Sequence, residues 1–247
     1  LLAQALADKD MGRVRRLALS QVEEGAAVLD VNVGAASVDE VELLPMAVRA
    51  VMEVTEVPLC LDSANARALR AALEVYEGKA LINSVNGEDA SLERVLPLVQ
   101  EYGAAVIGLC MDDDGIPATV EGRVAVARKI VERAASYGIP PEDIVIDCLA
   151  LSVCADASAG RVTLDAITAV RETLGVNMTL GASNVSFGLP DREAINEVFL
   201  AMAMQNGVNA PIVNPAPARK GILITDLLLG LDEFAMRYVG YVRSQKK

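Results

Sequence analysis

The stretch DIVIDCLAL, residues 143–151, contains the pattern that decides the fold. Its apolar run ends at Asp147, and it follows a segment of helical spacing that stops at Gly138. A short run without polar alternation is typical of a strand that is buried on both faces, as in a parallel sheet. The pattern of an apolar run that reaches Asp or Asn occurs seven times, in AAVLDVN (26–32), PLCLD (58–62), ALIN (80–83), AAVIGLCMD (104–112), DIVID (143–147), MTLGASN (178–184) and APIVN (210–214).

Helical patterns separate these runs, and several of them stop at a glycine such as Gly25, Gly78 or Gly103. Helix, glycine and apolar strand in repetition indicate βα units. The units recur about every thirty residues, which is the length expected of one such unit. The predicted helices cover residues 11–24, 39–54, 64–76, 91–102, 122–137, 165–174 and 191–206.

The repeat predicts a single α/β domain over residues 1–247, with one of two architectures. The first is a (β/α)8 TIM barrel, in which catalysis takes place at the carboxyl end of the strands. Seven strands are visible and a closed barrel needs eight, so we expect its first strand upstream of Leu1. The second is an open doubly wound sheet, which accommodates seven strands. No GxGxxG follows the first run, which argues against a dinucleotide site.

The composition argues against several classes of protein. The sequence has no histidine, which removes the commonest general base and the usual zinc ligand, and we expect no metal bound by this chain. A net charge of −12 argues against nucleic acid as a partner. No apolar stretch is long enough to span a membrane. The four cysteines form no CxxC pair, so free, mostly buried thiols and a cytoplasmic location are expected.

Polar side chains end each of the first three runs. Asp30 and Asn32 alternate with apolar residues, so both face the same side of the strand, inward. Capping of the following loop is the structural alternative for this pair. Asp62 is a candidate site residue, although it or Ser63 could equally be the N-cap of the next helix. Asn83 ends a buried strand, where its amide must be hydrogen-bonded.

Asp147 and Asn184 end later runs, and for both of them a functional role is favoured over a purely structural one. Asp147 lies inside the apolar run VIDCLAL, and a buried carboxylate without a partner costs on the order of several kcal/mol. Since no Arg or Lys is near it in sequence, a ligand with N–H donors is a good candidate partner. Asn184 lies among small residues, including Gly181 and Ser183, that let a ligand approach the backbone. The alternative here is a loop that caps the helix from Asp191.

Two other patterns indicate structure rather than chemistry. The acidic run Asp112–Asp114 lacks the spacing and the terminal Glu of a calcium loop, which favours a solvated turn. Met202 and Met204 favour the core or a subunit interface over a cofactor site.

The candidate site residues combine carboxylates and amides with little positive charge. Such a set suits a neutral heterocycle with several donors and acceptors. A carboxylate accepts two parallel hydrogen bonds from an edge that has N–H beside NH2, and an amide both donates and accepts. A pterin or a purine presents such an edge.

Six blocks of the sequence resemble the pterin-binding methyltransferases that act with corrinoid proteins. These include methyltetrahydrofolate:corrinoid/iron-sulfur protein methyltransferase and its relatives in methylamine and glycine betaine metabolism. The folate domain of cobalamin-dependent methionine synthase is a more distant relative. The blocks occur in family order from the first helix to about Asn214, and they are LDVNVG, LCLDSAN, LINSVNGE, AAVIGLCMDDDGIP, DIVIDCLAL and LGASNVSFGLPDREAINEVFLAMAMQNG.

The resemblance implies a (β/α)8 barrel like that of dihydropteroate synthase, and it assigns roles to the candidate residues. It implies that Asp62, Asn83 and Asp147 hold the pterin ring. Asn184 would be catalytic, with a hydrogen bond near N5 of the pterin. The remaining residues that would line the cavity are Asp30, Asn32, Gly181 and Ser183.

The resemblance also implies the reaction and its partners. A methyl group would move between N5 of tetrahydrofolate and the cobalt of cobalamin, which a separate corrinoid protein carries. Tetrahydrofolate or 5-methyltetrahydrofolate would be the substrate, with the direction left open. A homodimer is expected from the same resemblance.

Two alternatives remain at this point. Dihydropteroate synthases are similar in fold, but they typically carry a Ser-Arg-Lys run at the seventh strand tip, where this chain has Ser183-Asn184-Val185. The missing basic residues argue strongly against that activity. The second alternative is a non-catalytic folate-binding subunit of a methyl-transfer complex.

Overall fold

Six parallel strands form one sheet in the computed structural model, which describes residues 2–34 and 38–245, with side chains from Ala5. The strands pair in the order in which they occur along the chain, so each is followed by a helical crossover to its neighbour. The strands are β1 (Leu29–Asn32), β2 (Leu59–Asp62), β3 (Leu81–Asn86), β4 (Ala105–Leu109), β5 (Ile144–Asp147) and β6 (Asn177–Thr179).

All seven predicted helices are present, most of them with small differences at their ends, but the helix predicted over 165–174 begins six residues earlier, at Ala159. They are α2 (Met11–Glu23), α3 (Glu40–Met52), α4 (Ala66–Leu73), α5 (Asp89–Tyr102), α6 (Val120–Ser136), α7 (Ala159–Leu174) and α8 (Arg192–Asn206). Three further helices are α1 (Leu2–Ala7), α9 (Pro215–Leu228) and α10 (Met236–Ser244). Pro215 is the first residue of α9, where a missing N–H leaves no bond unmade, so this proline starts a helix.

Alternating side chains of the strands divide the apolar core into two layers. Residues such as Leu61 and Ile82 point outward and are buried against the helices. Cys60, Ile107 and Val145 form a separate cluster on the opposite, inner face of the sheet. Two layers of this kind are what a parallel sheet covered by helices requires.

The seventh predicted strand, APIVN, is wrong as a strand, although the chain does run beside β6. The N–H groups of Asn209 and Ala210 donate to Met178 O, and that of Ile212 donates to Leu180 O. Pro211 lies between Ala210 and Ile212, so its missing N–H faces away from β6. The pairing is irregular because Asn209 and Ala210 donate to the same carbonyl and Met178 N donates to the Asn209 side chain instead of to a backbone carbonyl. Asn214 instead caps α9, because its side chain accepts a hydrogen bond from Ala216 N at 3.3 Å.

A cavity of about 410 Å3 lies on the inner face of the sheet, between β1 and the 209–213 segment. Asp30, Cys60 and Thr179 line it, together with apolar side chains of the inner layer. The prediction of a further strand upstream of Leu1, and that of a single domain over residues 1–247, stay predictions.

All four cysteines are free, as predicted, and three of them are buried while Cys154 is exposed. Within the described part of the chain, no helix is both long and apolar enough to cross a membrane.

Candidate active site

The polar side chains of Asn32, Asp62 and Asn83 lie side by side, but β3 continues to Asn86, so Asn83 lies within its strand and not at the end that the sequence predicted. Strand register aligns Asn32 with Asp62 and Asp62 with Asn83, at the carboxyl edge of the sheet. Asn32 Nδ2 donates to Asp62 Oδ2 at 2.7 Å. Asn83 Nδ2 donates to Asp30 Oδ2 at 3.2 Å. These four side chains therefore form two hydrogen-bonded pairs on the inner face, and Asp30 and Asp62 of the two pairs also interact with each other.

The structural roles predicted as alternatives were loop capping by Asp30 and Asn32 and helix capping by Asp62, and the structure shows them only in part. Asn32 does stabilise its loop, since its Oδ1 accepts a hydrogen bond from Gly34 N at 2.8 Å, but its other amide atom contacts Asp62. The N-cap of α4 is Asn65, whose side chain accepts from Arg67 N at 3.0 Å. Asp62 is thus free of a capping role, which favours its assignment to a site.

Asp62 lies in an acidic environment that favours its protonated form. Burial raises the pKa of this carboxyl to about 6, and the charges of Asp30 and Glu40 act in the same direction. The hydrogen bond from Asn32 opposes them. Glu40, the first residue of α3, also accepts a hydrogen bond from the Ser63 hydroxyl. A ligand that donates N–H to Asp62 would relieve this accumulation of negative charge.

Asp147, at the end of β5, is only 5% exposed, and the structure corrects one expectation about it. The carboxylate already has backbone partners, because Oδ1 accepts from Leu149 N at 2.7 Å and Oδ2 accepts from Gly181 N at 3.4 Å. A cation is also near, since Arg123 lowers the pKa of this carboxyl. Burial outweighs these contacts and raises the pKa to about 6. A carboxylate oxygen has two lone pairs, so each oxygen can accept a further hydrogen bond.

Asn184 lies beyond β6 in a 3-10 turn, Ala182–Ser186, rather than on a strand. The side chains of Asn184 and Ser183 are both exposed. A Cβ placed on Gly181 would lie 3.9 Å from Asn184 Nδ2, so the amide lies close to the residue that donates to Asp147. The side chain of Asn184 makes no hydrogen bond to any described residue.

The turn that carries Asn184 is held from two sides. Arg192, at the start of α8, donates to Ser183 O at 2.8 Å and to Ser186 Oγ at 3.0 Å. Val153 N donates to Val185 O at 3.0 Å from the loop after β5. Asp191 precedes α8 without a side-chain cap, so capping of that helix does not explain the turn.

The site residues form two groups on the same edge of the sheet. One comprises Asp30, Asn32, Asp62 and Asn83, and the other comprises Asp147, Gly181, Ser183 and Asn184. No hydrogen bond joins the two groups within the described ranges, and β4 separates them in the sheet. Their carboxylates and amides lie near the carboxyl ends of the strands, at the mouth of the inner face, where they can donate and accept hydrogen bonds. Among the described residues, no cluster of three or more His, Cys, Asp or Glu could hold a metal ion.

The two discounted patterns are structural, as interpreted. The Asp112–Gly115 segment is a turn in which both backbone N–H groups donate across to the opposite carbonyl. Met204 packs against the core, whereas Met202 is 47% exposed on the surface of α8.

Sequence reasoning did not find the residues that support the site from a distance. Arg123 beside Asp147, Glu40 beside Asp62 and Arg192 beneath Ser183 all come from helices. Of these, only Arg192 is near its partner in sequence, in the segment PDR that follows the Asn184 turn.

The chain is thus a parallel α/β protein with carboxylates and amides near the carboxyl edge of its sheet. The chain belongs to the family whose model is described as Pterin binding enzyme, which matches residues 3–214. It is 31% identical to the methylcorrinoid:tetrahydrofolate methyltransferase of Eubacterium limosum, over 100% of this chain and 93% of that protein. It is 33% identical to the methionine synthase of Mycobacterium leprae, over 85% of this chain but only 19% of that protein.

A solved structure supports the same fold. Dihydropteroate synthase of Yersinia pestis, in complex with a pterin-sulfa conjugate, matches with a TM-score of 0.71, over 89% of this chain and 90% of that one. The sequence identity is 15%, so this similarity concerns the fold alone. Dihydropteroate synthases are TIM barrels, and the predicted barrel class is confirmed.

Proposed function

We propose that this protein is a methyltransferase that moves a methyl group between N5 of tetrahydrofolate and the cobalt of a corrinoid protein. The observation that carries the proposal is the Asn184 side chain, which is exposed at the mouth of the barrel, has no hydrogen-bond partner among the described residues and lies next to Asp147. The names of the two relatives, both linked to methyl or folate chemistry, support the same assignment.

In this proposal the two carboxylates hold the pterin ring by its polar edge. Asp147 has its backbone bonds already made and a free lone pair on each oxygen, so it accepts from the ring N–H and the adjacent NH2. Asn83 and Asp62 contact the ring from the other side of the mouth. The ring is thereby fixed in plane, which determines where N5 and its methyl group lie.

Asn184 then acts at N5. A methyl group on a tertiary amine is a poor electrophile, because the nitrogen that leaves is strongly basic unless it is protonated or hydrogen-bonded. An amide that tightens its hydrogen bond as N5 becomes charged stabilises the transition state more than the ground state. Such a side chain must be unoccupied before the substrate binds, as the Asn184 amide is among the described residues.

A corrinoid carried by a partner protein supplies cobalt as the nucleophile or the methyl donor, chemistry that no amino-acid side chain offers. This chain has no histidine and therefore lacks the residue that commonly ligates such a metal. Its own residues bind the pterin, orient N5 and stabilise charge there. The exposed position of Asn184 leaves that side of the mouth open to a second protein.

The two alternative functions differ from the proposed methyl transfer in the product that they would form. Dihydropteroate synthesis would join a pterin pyrophosphate to p-aminobenzoate, and the 183–185 turn offers no Lys or Arg for it. Arg192 lies beneath the turn, where two of its N–H groups donate to Ser183 O and Ser186 Oγ. A non-catalytic subunit would bind folate and form no product.

The test is a product assay under anaerobic conditions. The protein is incubated with methylcobalamin and tetrahydrofolate, and separately with a hydroxymethyl-dihydropterin pyrophosphate and p-aminobenzoate. We expect 5-methyltetrahydrofolate in the first mixture and no dihydropteroate in the second. Dihydropteroate alone would replace the proposal, and pterin binding without either product would support the non-catalytic alternative.

Pterin affinity should fall as the solution becomes more acidic. Burial raises the pKa of Asp62 and Asp147 to about 6, and only their ionised forms accept both hydrogen bonds. Each carboxyl is mostly ionised at pH 7 and mostly protonated at pH 5, so affinity should fall about tenfold for each carboxylate that the ligand contacts. Calorimetry over this range checks it, with the ligand's own protonation measured separately. Affinity independent of pH would contradict the assignment of both carboxylates.

We also propose a homodimer, whose interface lies on the last three elements of the chain. Leu228 ends α9, Leu231 and Phe234 follow it, and Met236 begins α10. Their exposed fractions are 79%, 64%, 94% and 71%, so four large apolar side chains lie in water within residues 228–236. A patch of this kind marks an interface with another protein. The free, mostly buried thiols fit a reducing, cytoplasmic location.

Phe234→Glu together with Leu231→Glu should convert the dimer into a monomer, because two charges would be buried in an apolar interface. Light scattering at concentrations of tens of micromolar measures the mass. Leu19→Glu is the matched control, since Leu19 is 41% exposed on α2, away from the patch. A wild-type monomer, or a double variant that stays dimeric, would refute this interface.

A further inference from the structure

Arg123 is a buried cation whose hydrogen bonds all lie within the protein. It is on α6 and is 1% exposed. Nε donates to Pro117 O at 3.0 Å, and Nη1 lies 2.9 Å from Cys148 O, 3.0 Å from Leu149 O and 2.9 Å from Thr163 Oγ1. A buried charge needs such partners, and two of them are consecutive carbonyls of one loop.

That loop is the one that positions Asp147. Leu149 has a φ of 61°, a conformation that non-glycine residues rarely adopt and that its surroundings must hold. Its carbonyl accepts from Arg123, while its N–H donates to Asp147 Oδ1 at 2.7 Å. Leu149 therefore connects the two charged groups, because its carbonyl binds the Arg123 guanidinium and its N–H binds the Asp147 carboxylate.

Arg123 also acts on Asp147 through its charge. Its charge lowers the pKa of the Asp147 carboxyl, against the burial that raises it. The other titratable groups packed here are Cys110, after β4, and Cys148, after β5. A hydrogen bond with Cys110 and burial raise the pKa of Cys148 well above its ordinary value, so this thiol stays neutral. Thr163 of α7 carries no charge.

We propose that Arg123 is a positioning residue of the pterin site, which fixes the 147–149 turn and offsets the negative charge of the buried Asp147 carboxylate. The proposal rests on the proposed function, because it takes Asp147 as a pterin contact. Arg123 itself touches neither the pterin nor N5, and it acts through Leu149 and Asp147.

Arg123→Met removes the charge and should change the pH dependence of pterin binding. The midpoint at which Asp147 becomes ionised should rise by about one pH unit, the effect of losing one close opposite charge. Affinity should then fall about twofold at pH 7 and about fivefold at pH 6, in addition to any loss that is equal at all pH values. Calorimetry with tetrahydrofolate measures this ratio. Carbon-13 NMR titration of the Asp147 carboxyl, assigned with Asp147→Asn, measures the midpoint without any ligand.

Three variants control the measurement. Arg133→Met changes a residue of the same type on the same helix, whose ion pairs are with Asp89 and Glu93 at the surface, and it should behave as wild type. Arg123→Lys keeps the charge and should restore the midpoint. If Arg123→Met does not fold, Arg123→Gln is the neutral variant, since its amide can still donate to a loop carbonyl.

The outcomes separate the two proposals. A midpoint that is the same in wild type and in the neutral variants would overturn the role of Arg123, whether or not pterin binds. A loss of affinity equal at all pH values would indicate a purely structural role and would overturn it as well. If wild type binds no pterin while the NMR midpoint moves as expected, the proposed function fails and the effect of Arg123 on Asp147 stands.

Discussion

Asn184→Ala should lower the single-turnover rate of methyl transfer by about 10²–10³-fold, the loss expected when one preorganised donor to a developing charge is removed. The amide is exposed and has no hydrogen bond to a described residue, so its removal leaves no buried group unpaired. Pterin affinity should change little, because the bond at N5 strengthens in the transition state. Rapid mixing with cob(I)alamin and 5-methyltetrahydrofolate gives the rate, and calorimetry gives the affinity.

Gln205→Ala is the matched control for this variant. Gln205 is an exposed amide on α8 that contacts none of the site residues, and its removal should leave the rate unchanged. A rate loss below tenfold in Asn184→Ala would refute the proposed role of this side chain. An equal loss in affinity and in rate would place Asn184 in binding rather than in catalysis.

Asp147→Asn should weaken pterin binding by about 10²-fold at pH 7. The amide can accept at one atom only, so the parallel pair of hydrogen bonds to the N–H and NH2 edge is lost. Hydrogen bonds to a charged acceptor are worth about 1.5–3 kcal/mol each, which sets this magnitude. Calorimetry with tetrahydrofolate measures the change, and the remaining binding should no longer depend on pH through this group.

The pH dependence of unfolding in the same variant separates lost binding from lost folding. The pKa of Asp147 is raised from 3.8 to about 6 in the folded protein, so ionisation of this group opposes folding increasingly between these pH values and fully above them. Asp147→Asn removes this pH dependence, while its single acceptor leaves one of the N–H groups of Leu149 and Gly181 unpaired at every pH. Thermal unfolding between pH 4 and pH 7 should therefore vary less with pH in the variant than in wild type, and unchanged affinity would remove Asp147 from the pterin contacts.

Asp62 and Asp147, which end β2 and β5, and Asn83, which lies within β3, were predictable as site candidates because each follows a short apolar run. In a parallel sheet all such ends meet at one edge, so Asp62, Asn83 and Asp147 had to lie together. The sequence could not show that the pKa values of the Asp62 and Asp147 carboxyl groups would be raised. That depends on burial and on neighbours such as Glu40 and Arg123, which fold back from other helices.

The ends of the last two runs were less predictable for local reasons. β6 has only three residues, and the small residues after Thr179 allow a 3-10 turn, so Asn184 lies beyond the strand rather than on it. The APIVN run has the apolar character of a strand, but the Asn209 side chain takes the place of a backbone carbonyl opposite Met178 N, so the pairing with β6 is irregular. The roles of Arg123 and Leu149 depend on contacts over 25 and 26 residues, which no local pattern contains.

The central claim is that the Asp and Asn side chains near the carboxyl edge of the sheet hold a folate for methyl exchange with cobalt. The most direct test is an anaerobic stopped-flow measurement of the cobalt spectrum after cob(I)alamin is mixed with 5-methyltetrahydrofolate and the protein. We predict that the cob(I)alamin absorbance falls at a rate proportional to protein concentration and that Asn184→Ala loses most of this rate. Tight folate binding with no protein-dependent change in the spectrum, at any cobalamin concentration and in either direction, would contradict the claim.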